Sequence, residues 1–309
     1  MIDASAFKGK VVALVGGAGF IGHHITNRLI DSGHQVIVID NLSTGKLENV
    51  NPKAIFYKLD IAQDDLTDVL KGVNAVFLTA AMARVQPSIE DPITYNKTNV
   101  EGTLRVLHAC HKAGVKRVIY SASSSAYGDT NTFPTPETSN TNPLSPYGLQ
   151  KFIGEQYCRL YSQLYGLDTV SLRYFNVYGE GMPLEGAYRT VLSIFGEQYK
   201  NDQPLTYTND GNQRRDFTYV QDVVTANILA AEYDQSLIGD VFNVGNGHNY
   251  SVNEVIAMFG SESRFLQSRV EPKVTLADNT KLRNTFGWAP TGDLPKFIDQ
   301  YKKSLKPYL

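Results

Sequence analysis

Short apolar runs alternate with stretches of helical period through the first half of the chain. KVVALVGG (10–17) has the pattern of a buried strand running into glycine, and FIGHHITNRLIDSG (20–33) spaces its apolar positions helically before stopping at Gly33. HQVIVID (34–40) is a second strand pattern, ending on aspartate. AIFYKLD (54–60) and NAVFLTAA (74–81) are further strand candidates. EDPITYNKTNVEGTLRVLHACHKAG (90–114) reads as one long helix, and VKRVIYSASS (115–124) as the strand after it. The strands are apolar on both faces and alternate with helices. That predicts an α/β fold with a doubly wound parallel sheet.

A helix is predicted over 145–166, with Ser145 as its cap and Pro146 in its first position. LDTVSLRYFNVYG (167–179) follows as a strand. Residues 180–216 are rich in Gly, Asn and Pro, with one helical piece near 187–200. A helix (222–234) and a strand (239–245) come next, and the remainder mixes short helices with loops. We expect a Rossmann domain over 1–175, rejoined by 217–247, and a smaller mixed C-terminal part within 176–309 that completes a cleft.

At 309 residues the chain can bury a sizeable core. A net charge of −2 argues against nucleic acid, or an anionic membrane, held by bulk charge. The two cysteines, Cys110 and Cys158, fall in helical segments and are expected as buried thiols without a disulfide. MIDASAFKGK lacks the apolar core of a signal peptide, and no stretch approaches the roughly 20 apolar residues of a membrane span. A cytoplasmic protein is expected. His108, Cys110 and His111 cluster in HACHKAG, but no further ligand group is near in sequence, and no metal is expected.

Gly16, Gly19 and Gly22 form G-x-x-G-x-x-G between a strand and a helix. Glycines there allow a tight turn and close approach of backbone to a pyrophosphate, which the helix N-terminus then attracts. Asp40 ends the next strand. A carboxylate at that place accepts the ribose hydroxyls of NAD and repels the 2′-phosphate of NADP. Asn41, Leu42 and Ser43 follow it, with no arginine, so NAD is the expected cofactor. Asp60 and Ile61 end the third strand pattern, where an adenine could be held. Asn99 is either a buried polar anchor or a solvated residue. In YGLQK, Tyr147 stands four residues before Lys151, on one helical face. With 18 tyrosines in the chain, such a pair also arises by chance, so the spacing alone decides nothing.

VVALVGGAGFIG, VIDNLSTGKLENV, SIEDPITYNKTNVEGTLRVLHAC, AGVKRVIYSASSSAYGD, PLSPYGLQK, LRYFNVYG, RRDFTYVQDV and FNVGNG, with ADNTKLRNTFGWAP near the end, resemble the extended short-chain dehydrogenases/reductases. The closest likeness is to the nucleotide-sugar epimerase/dehydratase family, over nearly the whole chain. The resemblance implies that Ser123, Tyr147 and Lys151 act as one catalytic unit. Ser123 could instead be a strand-end hydroxyl bonded to backbone, and Ser124 and Ser125 stand beside it. It also extends the cofactor site to Phe20, Ile21, Ser43, Thr44, Gly45, Thr79, Ala80, Ala81, Asn99 and Phe175. A free phenol has a pKa near 10, so a base near neutral pH needs a shift of roughly 3 units. The Lys151 ammonium and the nicotinamide cation are the expected sources.

In this family, 4,6-dehydratases carry Asp-Glu after the catalytic Ser/Thr, and decarboxylases a glutamate at the second position. Ser124 and Ser125 match neither, which favours 4-epimerisation of a UDP-sugar through a 4-keto intermediate. Asn176 and Arg215 are implied at the diphosphate, although Arg214-Arg215 could be solvated. Arg269 is implied at the nucleotide end, where SRVEPK departs from the usual Arg-x-Gly-Asp. Thr275 occupies the position of a bulky tyrosine in hexose-only epimerases, and GAYRTVLSIF with Ala187 and Tyr188 looks like epimerases of N-acetylated sugars. UDP-GlcNAc/UDP-GalNAc, with or without UDP-Glc/UDP-Gal, is the expected substrate, although Thr275 could merely pack in a loop. Thr79 replaces a usual histidine, and Arg84 and Pro87 also depart from the pattern. Arg84 leaves a uronic acid open. The family pairs the helices near 90–114 and 145–166 into a dimer. Phe152, Tyr157, Leu160, Tyr161 and Leu164 supply the apolar surface expected for a homodimer.

Overall fold

The structure is a computed structural model that describes residues 9–184, 189–268 and 271–306. Strands β1 (Val11–Val15), β2 (Gln35–Ile39), β3 (Ile55–Tyr57), β4 (Ala75–Leu78), β5 (Arg117–Ser123) and β6 (Asp168–Tyr174) join Asp240–Val244 in one seven-stranded sheet. The order is β3-β2-β1-β4-β5-β6 and then Asp240–Val244, with every pair parallel. Around it lie α1 (Phe20–Asp31), α2 (Val85–Glu90), α3 (Pro92–Asn96), α4 (Thr103–Ala113) and α5 (Pro146–Tyr165). The later helices are α6 (Val191–Lys200), α7 (Val220–Glu232), α8 (Val252–Phe259), α9 (Thr280–Phe286) and α10 (Leu294–Leu305).

The apolar runs form strands because both faces are covered. Along β1, Val12 and Leu14 pack with Ile25 and Leu29 of α1 and Val223 of α7. Ala13 and Val15 point the other way, toward Val106 and Leu107 of α4 and Tyr161 of α5. A third core, including Leu192, Phe195, Val255, Phe259 and Ile298, holds α6, α8 and α10 together. Strand order reverses between β1 and β4, and a crevice at such a point opens at the carboxyl ends of the strands.

The helix expected over 90–114 runs without interruption from Pro92 to Ala113 and closes at Gly114, with a π-helical stretch inside it. Asp91 accepts the Thr94 N–H and Pro92 begins α3, so the chain restarts there. A wide π-helical segment, Lys97–Gly102, then leads into α4. A Cβ at Gly102 would lie 2.8 Å from Ile61, so glycine lets this segment sit tightly on the chain after β3. The strand expected to reach 179 ends at Tyr174, and Val177–Tyr178 pairs separately with Thr218–Tyr219. α6 begins at Val191, where Thr190 accepts the Ser193 N–H.

Other expectations hold. Ser145 accepts the Gly148 N–H at 3.1 Å, Pro146 opens α5, and Gly166 ends it at φ 67°. Cys110 and Cys158 are buried and unbridged. Among the described residues, no helix is long and apolar enough to cross a membrane.

Candidate active site

Every strand that matters delivers its site residue at the carboxyl end. Gly16 follows β1, Asp40 follows β2, Thr79 follows β4, Ser123 ends β5 and Phe175 follows β6. Gly16 has φ 92°, and a Cβ there would stand 2.4 Å from the Ala80 nitrogen. A Cβ at Gly22 would stand 2.1 Å from the Gly16 oxygen. Any side chain at either place would force the turn apart. Gly19 differs: its Cβ would meet only the Gly16 oxygen, at 3.4 Å, with open space beyond. Gly19 is also the N-cap of α1 and makes no side-chain cap, which leaves the first-turn amides of Phe20, Ile21 and Gly22 for an anion. Thr79, in the place of the usual histidine, sends its hydroxyl back to the Val15 and Gly16 carbonyls at 3.1 and 3.0 Å. It ties β4 to the glycine turn, with Ala80 and Ala81 continuing beside it.

Asp40 is buried, and its carboxylate is held by two backbone donors, Ala18 at 3.0 Å and Leu42 at 2.8 Å. Each oxygen retains a lone pair for a further donor. Asn41 accepts the Ser43 N–H at 2.9 Å, Ser43 and Thr44 are exposed, and Gly45 lies against Ala18. Asp60 accepts from the Ala62 N–H and the Gln63 amide. Burial pushes its pKa up, but these bonds and one with Asn41 outweigh it and hold the carboxyl below its usual value. Asn99 is a buried anchor, 1% exposed. Its oxygen accepts the Met82 N–H, and its amide donates to the Met82 carbonyl and to Gln150 of α5. All of its donors are engaged by protein. Phe175 is equally enclosed, packed with Tyr127 and Ala277.

Two glycines bring α5 onto β5. A Cβ at Gly154 would lie 2.2 Å from the Tyr120 hydroxyl, and one at Gly148 would lie 2.7 Å from the Ser125 carbonyl. Glycine inside a helix costs about 1 kcal/mol against alanine, and here it permits the close approach. Tyr147 is half-buried in the first turn of α5, its N–H donating to Ser88 Oγ at 3.1 Å. The Ser123 side chain acts on its phenol, so the strand-end hydroxyl lies near the helix pair. Lys151 is buried, its Nζ donating to the Ser121 carbonyl at 2.6 Å. Burial lowers its pKa to about 8, against the opposing pull of Cys158 and Glu155.

In the chain alone, burial pushes the phenol up, and the Ser123 side chain and the Arg84 charge only partly offset this. Lys151 is turned to the Ser121 carbonyl, and the chain's own groups do not make Tyr147 a base at neutral pH. Behind Lys151 lies a pair that sequence reasoning missed. Arg173 of β6 grips Glu155 of α5 with two bonds, at 2.8 and 2.7 Å, both residues nearly unexposed. Glu155 is four residues after Lys151 on the same helix, and that spacing was the available signal.

On the substrate side, Asn176, Arg215 and Thr275 converge from three segments. The Asn176 amide bridges the Asp216 carbonyl at 3.0 Å and Thr275 Oγ1 at 3.2 Å. Thr275 Oγ1 also accepts the Asp216 N–H. Arg215 is not solvated: it pairs with Glu271, which also accepts from Thr208 and Asn209. Glu271 was missed, its one signal being the departure in SRVEPK. Arg84 has φ 107° and precedes α2, and its charge acts on Tyr147. An L-residue rarely holds that conformation, and such strain collects at functional sites. Ala187, Tyr188 and Arg269 lie outside the described residues.

Residues 12–245 match the NAD dependent epimerase/dehydratase family. The chain belongs to that family. Three solved structures are similar to it. The UDP-glucose 4-epimerase of Thermotoga maritima, solved with UDP-glucose, is 36% identical with a TM-score of 0.91, covering 96% of this chain and 99% of its own. The UDP-N-acetylglucosamine 4-epimerase of Methanobrevibacter ruminantium, in complex with UDP-N-acetylmuramic acid, is 37% identical with a TM-score of 0.89, covering 97% and 98%. The UDP-glucuronic acid 4-epimerase of Bacillus cereus, in complex with UDP-glucuronic acid and NAD, is 30% identical with a TM-score of 0.87, covering 97% and 100%. The glycine turn suits the dinucleotide of an NAD-dependent family: it has a cradle open only above Gly19, a helix N-terminus without a side-chain cap, and a fixed carboxylate at Asp40.

Proposed function

We propose that this chain is a cytoplasmic, NAD-dependent UDP-sugar 4-epimerase. The observation that carries this is the convergence of Ser123, at the end of β5, with Tyr147, in the first turn of α5, beside the glycine cradle and with Lys151 buried. NAD, when bound, supplies a hydride acceptor and donor, and its oxidised ring a positive charge. Gly16, Gly19 and Gly22 with Phe20 and Ile21 would hold its pyrophosphate, Asp40 a ribose, and Asp60 with Ile61 the adenine end. Tyr147 takes the proton of the sugar 4-hydroxyl as that carbon is oxidised, and returns it when the carbon is reduced on its other face. Ser123 holds the same oxygen in line. Lys151 keeps a cation within the helix turn that carries Tyr147. Residues up to 175, with 217–247, would bind the cofactor, and the C-terminal part the nucleotide sugar. Arg215 and Asn176 would meet the diphosphate, Glu271 giving up Arg215 to it.

For the sugar, the small side chain of Thr275 supports room for a 2-acetamido group, and UDP-GlcNAc is the first reading, alongside UDP-Glc. Arg84 supports a second: its guanidinium charge acts on Tyr147 and suits a 6-carboxylate. Proton NMR of the protein incubated separately with UDP-GlcNAc, UDP-Glc and UDP-GlcA, without added NAD, tests both. The expected result is the 4-epimer from UDP-GlcNAc. Turnover of UDP-GlcA alone, lost in Arg84→Ser, would replace the first reading by the second. No epimer from any of the three, even with NAD supplied, would sink the assignment.

We also infer a homodimer through α5 and the helices near 90–114. Leu149, Leu160, Leu164 and Tyr165 of α5 and Ile93 of α3 are exposed. Tyr161, counted toward this surface in the sequence, is instead 5% exposed and faces the core with His108. Sedimentation equilibrium should give twice the chain mass, and a Leu164→Glu variant should give the monomer.

A further inference from the structure

Asp216 ends the short strand Arg214–Asp216, which pairs with Asn249–Ser251. It is wholly buried, and each of its four polar atoms is hydrogen-bonded. The carboxylate accepts three backbone N–H groups, Asn246 at 2.8 Å on one oxygen and Gly247 and Ala277 at 3.0 Å on the other. Its own N–H donates to Thr275 Oγ1 at 3.1 Å, and its carbonyl accepts the Asn176 amide at 3.0 Å. The loop after Val244, the stretch Thr275 to Ala277, and Asn176 just past β6 therefore meet on one residue. Asn176 and Thr275 are two of the groups assigned above to the substrate. Arg215, a third, precedes Asp216 on its strand.

Among the described residues, no cation is bonded to this carboxylate. Arg214 is taken by Glu254 and Asn249, Arg215 by Glu271, and Asp278 accepts the Thr280 N–H. A buried charge without a cation is costly, and it persists where N–H donors converge on it. Burial pushes the Asp216 carboxyl up to about 6, with the three N–H groups opposing. At neutral pH it is charged and accepts from all three. Bonds to a charged acceptor are roughly twice as strong as neutral ones, so they hold the segments in one arrangement. Gly245 shows how close that arrangement is: a Cβ there would lie 2.3 Å from the Ala277 Cβ and 3.0 Å from the carboxylate.

We propose that Asp216 is a positioning residue for the sugar nucleotide: its charged side chain joins the loop at Asn246 and Gly247 to Ala277, its peptide group holds Asn176 and Thr275, and together these set the substrate-side contacts. The proposal rests on the UDP-sugar reading of the same site. A proton on the carboxylate, or asparagine at 216, removes the charge and sets a donor among the three N–H groups. The substrate side then loosens, while the glycine cradle keeps its place on other elements. Glu271 acts in the opposite sense, because protonating it frees Arg215 for the diphosphate.

Isothermal titration calorimetry with UDP-GlcNAc, UDP-Glc and UDP-GlcA tests this from about pH 8 to about pH 5, across the Asp216 titration. A diphosphate esterified at both ends does not titrate there. Wild-type affinity, in the NAD-loaded protein, should be level above neutral pH and fall about three- to tenfold as pH drops through about 6, the worth of one hydrogen bond. Bound NAD, released by heat and read by absorbance, should stay constant. Asp216→Asn should bind about three- to tenfold more weakly at neutral pH and lose the acid fall, having nothing to titrate. Its kcat/KM should drop by the same factor, through KM rather than kcat. A wild-type affinity that stays level through pH 6 would overturn the proposal, and that measurement needs no variant to fold. So would an Asp216→Asn protein that binds as the wild type does, keeps the acid fall, or sheds NAD and sugar nucleotide together. If the wild type binds none of the three at any pH, the UDP-sugar reading falls and the positioning role with it. Failure of the Asp216 arms alone leaves that reading intact.

Discussion

Replacing Tyr147 with phenylalanine should lower turnover by about 10²- to 10⁴-fold, the usual range for a lost general base or acid. The fold should survive, because only the phenol oxygen is removed. The Tyr147 backbone N–H still reaches Ser88, and α5 keeps its Ser145 cap. Circular dichroism provides the fold control and the sugar-epimer assay the rate. The pH profile gives a second reading. Tyr147 works as a base only when deprotonated, and burial pushes its pKa up, so activity should climb as pH rises. Lys151 titrates near 8 and loses its charge above that, which bounds the climb from the alkaline side. The residual activity of Tyr147→Phe should be flat where the wild type rises. An unchanged rate, or a slope that persists in the variant, would remove Tyr147 from the chemistry.

Glu155→Ala should destabilise the protein by about 3–5 kcal/mol, because it leaves the Arg173 guanidinium buried without its carboxylate. Arg173 is 4% exposed and lies 4.5 Å over the Tyr127 ring, with no solvent to replace the lost partner. Removing both charges, as in Glu155→Leu with Arg173→Met, should recover most of that loss, since a buried pair contributes little net stability over packed apolar residues. Urea unfolding of the three proteins measures the difference. Equal midpoints for the single variant and the wild type would show that the pair is hydrated. The pair also bears on the site. Glu155 supports the Lys151 charge against burial, so in the double variant Lys151 should discharge at lower pH.

The strand, glycine turn and helix at 11–31 were legible in the sequence, as were Asp40 at the end of β2 and the Ser145 and Pro146 start of α5. These are local matters. Apolar period, backbone freedom at glycine and hydrogen bonds between near neighbours set them, and each is written within a few residues. Ser123, Tyr147 and Lys151 are singled out together only through resemblance to a family, since spacing alone left Tyr147 and Lys151 as any pair on a helix. Only the tertiary structure decided the rest. The helix expected at 90–114 carries a π-helical stretch at Lys97–Gly102, where Gly102 lies against Ile61 of the chain after β3. Lys151 donates to the Ser121 carbonyl, Arg215 meets Glu271, and Arg173 meets Glu155, each across a gap in sequence that only the sheet and the C-terminal core close. The raised phenol of Tyr147 belongs with these. Desolvation depends on what surrounds an atom in space, and residue order along the chain does not contain it until the chain has folded.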